Sequence, residues 1–171
     1  MKKTLFLFLT VAAIALSGCG NKDTEGETKP VAKNVSCKEI LETVLDEAEG
    51  INTDSTLFYD DEKYEEFFEY LYNTSPDRAK DGAYGYASEA VADEITIIYA
   101  TEKDDVEVIE NHLEERIERR AMDFEGYKPE EVEKLYNAVI DTNGQYVFMV
   151  VSENPQDIID LINDTIEEKE E

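Results

Sequence analysis

One histidine is too few for a histidine metal cage, and His112 is the only one in the chain. It stands at the edge of an apolar helical stripe, where a half-exposed imidazole is ordinary. No serine sits in a Gly-x-Ser-x-Gly elbow and Cys37 has no visible catalytic partner, so acyl-transfer chemistry lacks its parts. The eight glycines are scattered, and none opens a phosphate-binding turn between a strand and a helix. The nearest approach to a calcium loop, Asp77-x-x-x-Asp81-Gly82, has Ala79 at its third position and Ser88 where the bidentate glutamate belongs. These gaps predict no catalytic residue, no metal and no cofactor, and a chain that is not an enzyme. Cations are also scarce: 16 Lys and Arg stand against 42 Asp and Glu, for a formal net charge of −26. A surface of that sign repels phosphates and argues against a nucleic-acid partner.

The one long hydrophobic run, Leu5 to Leu16 behind Lys2 and Lys3, is too short to span a bilayer and fits the middle of a secretory signal. Leu16-Ser17-Gly18-Cys19 follows it in the position of a bacterial lipobox, which makes Cys19 the expected lipidation site and first mature residue. An ordinary cleavage site at Ala13-Ile14-Ala15 is the alternative. By likeness to bacterial lipoproteins, Cys19 would carry a diacylglycerol thioether and be acylated, and two chains suffice for stable anchoring. Membrane lipid is then a partner through Cys19, and the expected location is the extracytoplasmic face of the cell membrane. Residues 1–18 are the expected signal peptide. Residues 19–35 are the acylated N-terminus and a flexible tether of roughly 20 to 25 Å. With Cys19 lipidated, Cys37 is an unpaired thiol at the start of a helical pattern, read as a small buried apolar residue.

Loss of Lys2 and Lys3 with the signal moves the charge from −26 to −28. The tether balances three lysines against three acids, so 11 basic and 39 acidic residues lie C-terminal to it. Residues 36–166 are read as one α+β domain, and 167–171 as an acidic frayed tail. Ser36-x-x-Glu39 announces a first helix. Tyr64, Phe67, Phe68, Leu71 and Tyr72 make the stripe of a second. Tyr84 and Tyr86 alternate as in an edge strand. Glu94 to Ala100 is a strand with Ile95, Ile97 and Tyr99 on one face and Thr96 and Ile98 on the other. Asp104-x-x-Glu107 opens the longest helix, running to about Met122, and Pro129 starts a short one. Asn143-Gly144 fits the type I′ turn of a hairpin over residues 137–152, with Ile140 facing Val147 and Val139 facing Phe148. Both faces being apolar, the hairpin is expected at the centre of a small antiparallel sheet packed by amphipathic helices. Two helices precede the strands in this reading. Asn154-Pro155 opens the last helix.

The residues Asp93-Glu94-Ile95, Arg116, Phe124-Glu125-Gly126-Tyr127-Lys128-Pro129-Glu130 and Asn143-Gly144-Gln145-Tyr146-Val147 carry a resemblance. Over Ala92 to Val151 the chain resembles a domain of bacterial lipoproteins known as domain of unknown function 4358. The first half matches only as two helices before the strands. The resemblance implies a small α+β domain on an acylated anchor in the envelope of Gram-positive bacteria, and it implies no activity.

One polar constellation departs from expectation. Arg116 and Arg120 border the stripe of Ile109, Leu113 and Ile117, at about 100° per residue around the helix. Buried charge needs a partner, and Glu89, Glu94 and Asp141 are candidate carboxylates. Either an internal ion pair fixes helix to sheet, or Arg116, Arg119, Arg120 and Tyr127 line a groove for a small anionic ligand. The first reading predicts a non-catalytic binding or interaction module with an envelope protein or peptide as partner. The second predicts an extracytoplasmic receptor or accessory protein.

Overall fold

The structure, a computed structural model, describes residues 34–87 and 91–170. The lipobox with Cys19, nearly all of the tether, Ser88 and Glu89 lie outside the described residues. Helix α1 (Cys37–Glu47) starts where the Ser36 side chain accepts the Glu39 amide, and it buries Cys37, Ile40, Leu41 and Val44. Strand β1 (Ser55–Phe58) comes next, then helix α2 (Tyr64–Tyr72). The expectation of two helices ahead of every strand is thereby corrected. β1 is four residues long, too short for its alternation to stand out. Strands β2 (Ala79–Tyr86) and β3 (Glu94–Ala100) follow, and then the long helix α3 (Lys103–Glu125). Its capping box is Glu102 with Asp105, not Asp104 with Glu107. The short helix α4 (Val132–Tyr136), strands β4 (Val139–Asn143) and β5 (Tyr146–Val151), and helix α5 (Pro155–Glu170) complete the order. α5 continues through the stretch expected to fray. In that stretch Lys169 reaches across to Glu39 on α1 at 2.7 Å and ties the last turn down.

The five strands form one antiparallel sheet in the order β1-β2-β3-β5-β4. β2 therefore lies inside the sheet, and the edge position expected for it belongs to β1. The hairpin is not central either, since β5 is internal and β4 is the other edge. Its register differs from expectation: Asn143 pairs with Tyr146 and Ile140 with Met149, so the loop is Gly144-Gln145. Within that loop only Gly144 has positive φ, at 63°. Sliding by two positions keeps every side chain on its own face, because the pleat repeats every second residue. Val139 and Ile140 thus reach the cores expected of them from a different register.

Alternation along the two inner strands builds a core on each side of the sheet. Ile95, Ile97, Phe148 and Val150 face α1 and α5, with Ile40, Leu41, Ile158 and Ile162 opposite. Ile98, Val147, Met149 and Val151 face α2, α3 and α4, with Phe68, Tyr72, Leu113 and Leu135 opposite. β5 is buried at all six positions, as a strand covered on both faces must be. Each fully buried Ile or Phe contributes about 1.5 to 3 kcal/mol before ordering entropy is subtracted. Tyr64 lies across Gly82, so closely that a Cβ there would sit 1.7 Å from its hydroxyl.

Candidate functional site

Glu94 opens β3 on the face toward α2 and α3, and its side chain is completely buried. Arg116 on α3 donates from Nε to Oε1 at 2.6 Å and from Nη2 to Oε2 at 2.8 Å, a bidentate pair. Arg120, one turn further along, donates to the same Oε2 at 2.6 Å and to the Ala92 carbonyl at 2.9 Å. The network extends across the sheet. Arg116 also donates to the Tyr84 hydroxyl at 2.8 Å, Thr96 lies 3.4 Å from Oε1, and Tyr72 shares a hydrogen bond with Thr96 at 2.9 Å. The Arg116 guanidinium lies over the rings of Tyr72 and Tyr84, at 5.8 and 5.6 Å from their centroids.

Burial by itself would push the Glu94 carboxyl up. Arg116 and Arg120, with hydrogen bonds from Arg116 and Thr96, outweigh that and hold it below the usual carboxylate range. Burial would lower Arg116 in turn, but Glu94 raises it and keeps it charged. Burial first, then the Glu94 charge, pushes the hydroxyls of Tyr72 and Tyr84 up. All four groups are held in one protonation state at neutral pH. That suits a structural clamp and not a proton-transfer device.

A second buried acid lies beside it. Asp93 accepts the Asn52 amide at 3.0 Å and Lys134 Nζ at 2.7 Å, and Lys134 also lies 3.2 Å from Glu131. Glu131 accepts the Ala92 amide at 2.9 Å. Burial works to lower Lys134, but hydrogen bonds to Asp93 and Glu131 raise it on balance. Asp93-Glu94 therefore joins the start of β3 to α3 through one acid and to α4 through the other.

The four residues expected at a common groove separate. Arg116 and Arg120 converge on Glu94. Arg119 turns to the last turn of α2, where it donates to the Leu71 carbonyl at 2.8 Å, and it lies 3.8 Å from Glu115. Tyr127 is 70 % exposed and packs edge-on against Phe124, with ring centroids 6.4 Å apart. Four surface clefts are lined by other residues. Of the candidate carboxylates, Asp141 instead accepts the Thr142 amide at 2.8 Å and Asn163 at 3.4 Å. Asp81 accepts the Cys37 and Gly82 amides from within β2. Burial, then the charge of Asp81, raises the Cys37 thiol well above its ordinary value. His112 contacts Glu115 at 3.3 Å, on the same helix. Among the described residues no three His, Cys, Asp or Glu side chains are placed to hold a metal, and no helix is long and apolar enough to cross a membrane.

Sequence reasoning missed Tyr72, Tyr84 and Thr96 as members of the network, named Asp93 only within the family resemblance, and missed Lys134 and Glu131. One signal was available: two adjacent acids at the start of a strongly apolar strand are drawn toward the core with it and then need cations.

Fold and cluster define a sheet covered by helices on both faces, with its buried charges paired across the seam between sheet and helices. The chain belongs to the family described as Domain of unknown function (DUF4358), whose model matches residues 57–152. That span begins in β1 and takes in α2 and β2, and so reaches further forward than the likeness carried by Ala92 to Val151. No curated protein and no solved structure matches the chain.

Proposed function

We propose that this chain is a membrane-anchored extracytoplasmic lipoprotein whose folded domain is a non-catalytic binding or interaction module of the bacterial cell envelope. The observation that carries the reading is Cys19 placed directly after Leu16-Ser17-Gly18, behind a short apolar run and ahead of an abruptly polar stretch. Membrane lipid is its partner through acylated Cys19, and an envelope protein or peptide is the partner of the domain. The arginine cluster supports the module over the alternative, an anion receptor. A receptor needs guanidinium donors aimed into an open groove, whereas Arg116 and Arg120 donate inward to Glu94. Metabolic labelling with a fatty acid tests the anchor: the wild type takes up label, and Cys19→Ala loses both label and membrane retention. A Cys19→Ala protein still tightly bound to the membrane overturns the reading.

A further inference from the structure

We propose that the outer edge of β4, together with the groove between α3 and α4, docks an extended lysine- or arginine-containing segment of another protein, which adds to the sheet as a sixth strand. This deepens the interaction-module reading and rests on it.

The backbone of β4 supplies the first part. The two-residue loop makes Asn143 and Tyr146 a hydrogen-bonded pair, and Asp141 with Phe148 and Val139 with Val150 repeat that pattern. The amides and carbonyls of Ile140 and Thr142 therefore point away from β5, where no described strand pairs with them. The Thr142 amide is already taken by Asp141 Oδ1. The Ile140 amide and carbonyl and the Thr142 carbonyl are left as a short template for strand addition. The opposite edge is more nearly closed. At Phe58, Asp61 accepts the amide at 2.8 Å and donates to the carbonyl at 2.9 Å.

The groove supplies the second part. A cleft of about 380 Å³ opens beside Ile140, floored by Ile117, Leu135 and Ala138 and walled by Tyr136. Tyr136 is 67 % exposed, and Met122, one turn along α3 from Glu118, is 69 % exposed. An apolar side chain of an added strand has a receiving surface there.

Charge decides what the occupant is. Glu114 and Glu118 are exposed on the α3 rim of the cleft, and its lining holds no cation. A second copy of this chain would bring its own Glu114, Glu118 and Asp141 to the contact, in a domain with 39 acids against 11 bases, so self-pairing is disfavoured. Every second side chain of an added strand points to this face, so a basic extended segment fills the groove with an apolar side chain and meets Glu114 and Glu118 with a lysine or arginine two residues away.

The test titrates the full chain, in detergent, with a blocked heptapeptide in which threonine alternates with lysine, valine and lysine in turn, so that the valine and both lysines share one face. A twin peptide of equal charge is N-methylated at two adjacent central residues, so that neither of its edges can pair. The plain peptide should bind at least about tenfold tighter than the twin, and Glu114→Gln/Glu118→Gln should weaken it about tenfold at low salt. Ile140→Pro should abolish the difference between the peptides. Proline is tolerated where the amide faces outward on an edge, and the double glutamine variant is decisive by itself if the proline variant does not fold. Equal binding of the two peptides, or indifference to Glu114→Gln/Glu118→Gln, overturns the site. Sedimentation showing a dimer that Ile140→Pro dissociates overturns it in favour of self-pairing. Either result leaves the anchor standing, because acylation at Cys19 is read separately.

Discussion

Glu94 carries a full negative charge with no solvent to stabilise it, and it persists only because two guanidinium groups and a hydroxyl replace the lost water. Removing one cation leaves that charge partly uncompensated. Arg116→Ala should therefore destabilise by about 3 to 5 kcal/mol, measured by chemical denaturation, whereas an exposed arginine would cost almost nothing. A change under about 0.5 kcal/mol would sink the clamp. The pH dependence has a definite sign. An unfolded glutamate titrates near about 4.3, and folded Glu94 lies below its ordinary value. Its contribution is complete above about pH 5 and is lost as pH falls toward the folded value, at about 1.4 kcal/mol per pH unit below about 4.3. Unfolding of wild type and Glu94→Gln should thus show a constant gap from pH 7 to 5 that narrows below pH 4. A gap unchanged at pH 3 would mean that Glu94 is not the titrating partner. Why Glu94 and not Asp141 could not be told locally. Both lie on strands near apolar residues, and only the strand order puts Glu94 under α3 while Asp141 stands on an edge, bonded to Asn163 of α5.

At the scale of elements, the turns and helix starts are where a single residue decides the backbone. Gly144 holds φ at 63°, a conformation a β-branched side chain resists, so Gly144→Val should cost about 1 to 3 kcal/mol. An unchanged melting temperature would mean that the hairpin re-forms with another loop. Gly82 is required for a different reason: a methyl group there would collide with Tyr64 and force that buried ring off the sheet. Gly82→Ala should lower the melting temperature. Gly126→Ala, at φ −84° with nothing within 4 Å, should not. Both sheet edges also have an aspartate that occupies one outward amide, Asp61 at Phe58 and Asp141 at Thr142, which leaves only a short stretch of β4 open to pairing. Helix identity was legible because the apolar positions of α1, α2 and α3 recur at helical spacing, with Ser36 and Glu39 marking one start. β1 was not, since four residues take their structure from pairing with β2 and not from their own pattern.

For the whole molecule, 39 acids against 11 bases in the domain make self-repulsion a term in stability at neutral pH. Raising ionic strength from about 0.01 to 0.15 M shortens the Debye length from about 30 to 8 Å and leaves buried pairs nearly untouched. The midpoint of thermal unfolding should rise with monovalent salt. Calcium or magnesium should act at lower concentration without a stoichiometric transition, and calorimetry showing one ion bound per chain at micromolar affinity would contradict this. By itself the sequence determined the α+β class, the charge, the helices, the buried faces of β3 and the proximity of Arg116 and Arg120 to the core. All of these follow from composition or from periodicities of 2 and 3.6 residues, which each element carries alone. Tertiary structure alone decided that β4 and not β2 is an edge, that the hairpin closes over Gly144-Gln145, and that Glu94 receives both arginines. Sliding a strand by two residues leaves the pattern of buried faces unchanged, and an ion pair joins residues 22 and 26 positions apart through the packing of a helix on a sheet. Such choices are made by contacts between elements, and no single element records them.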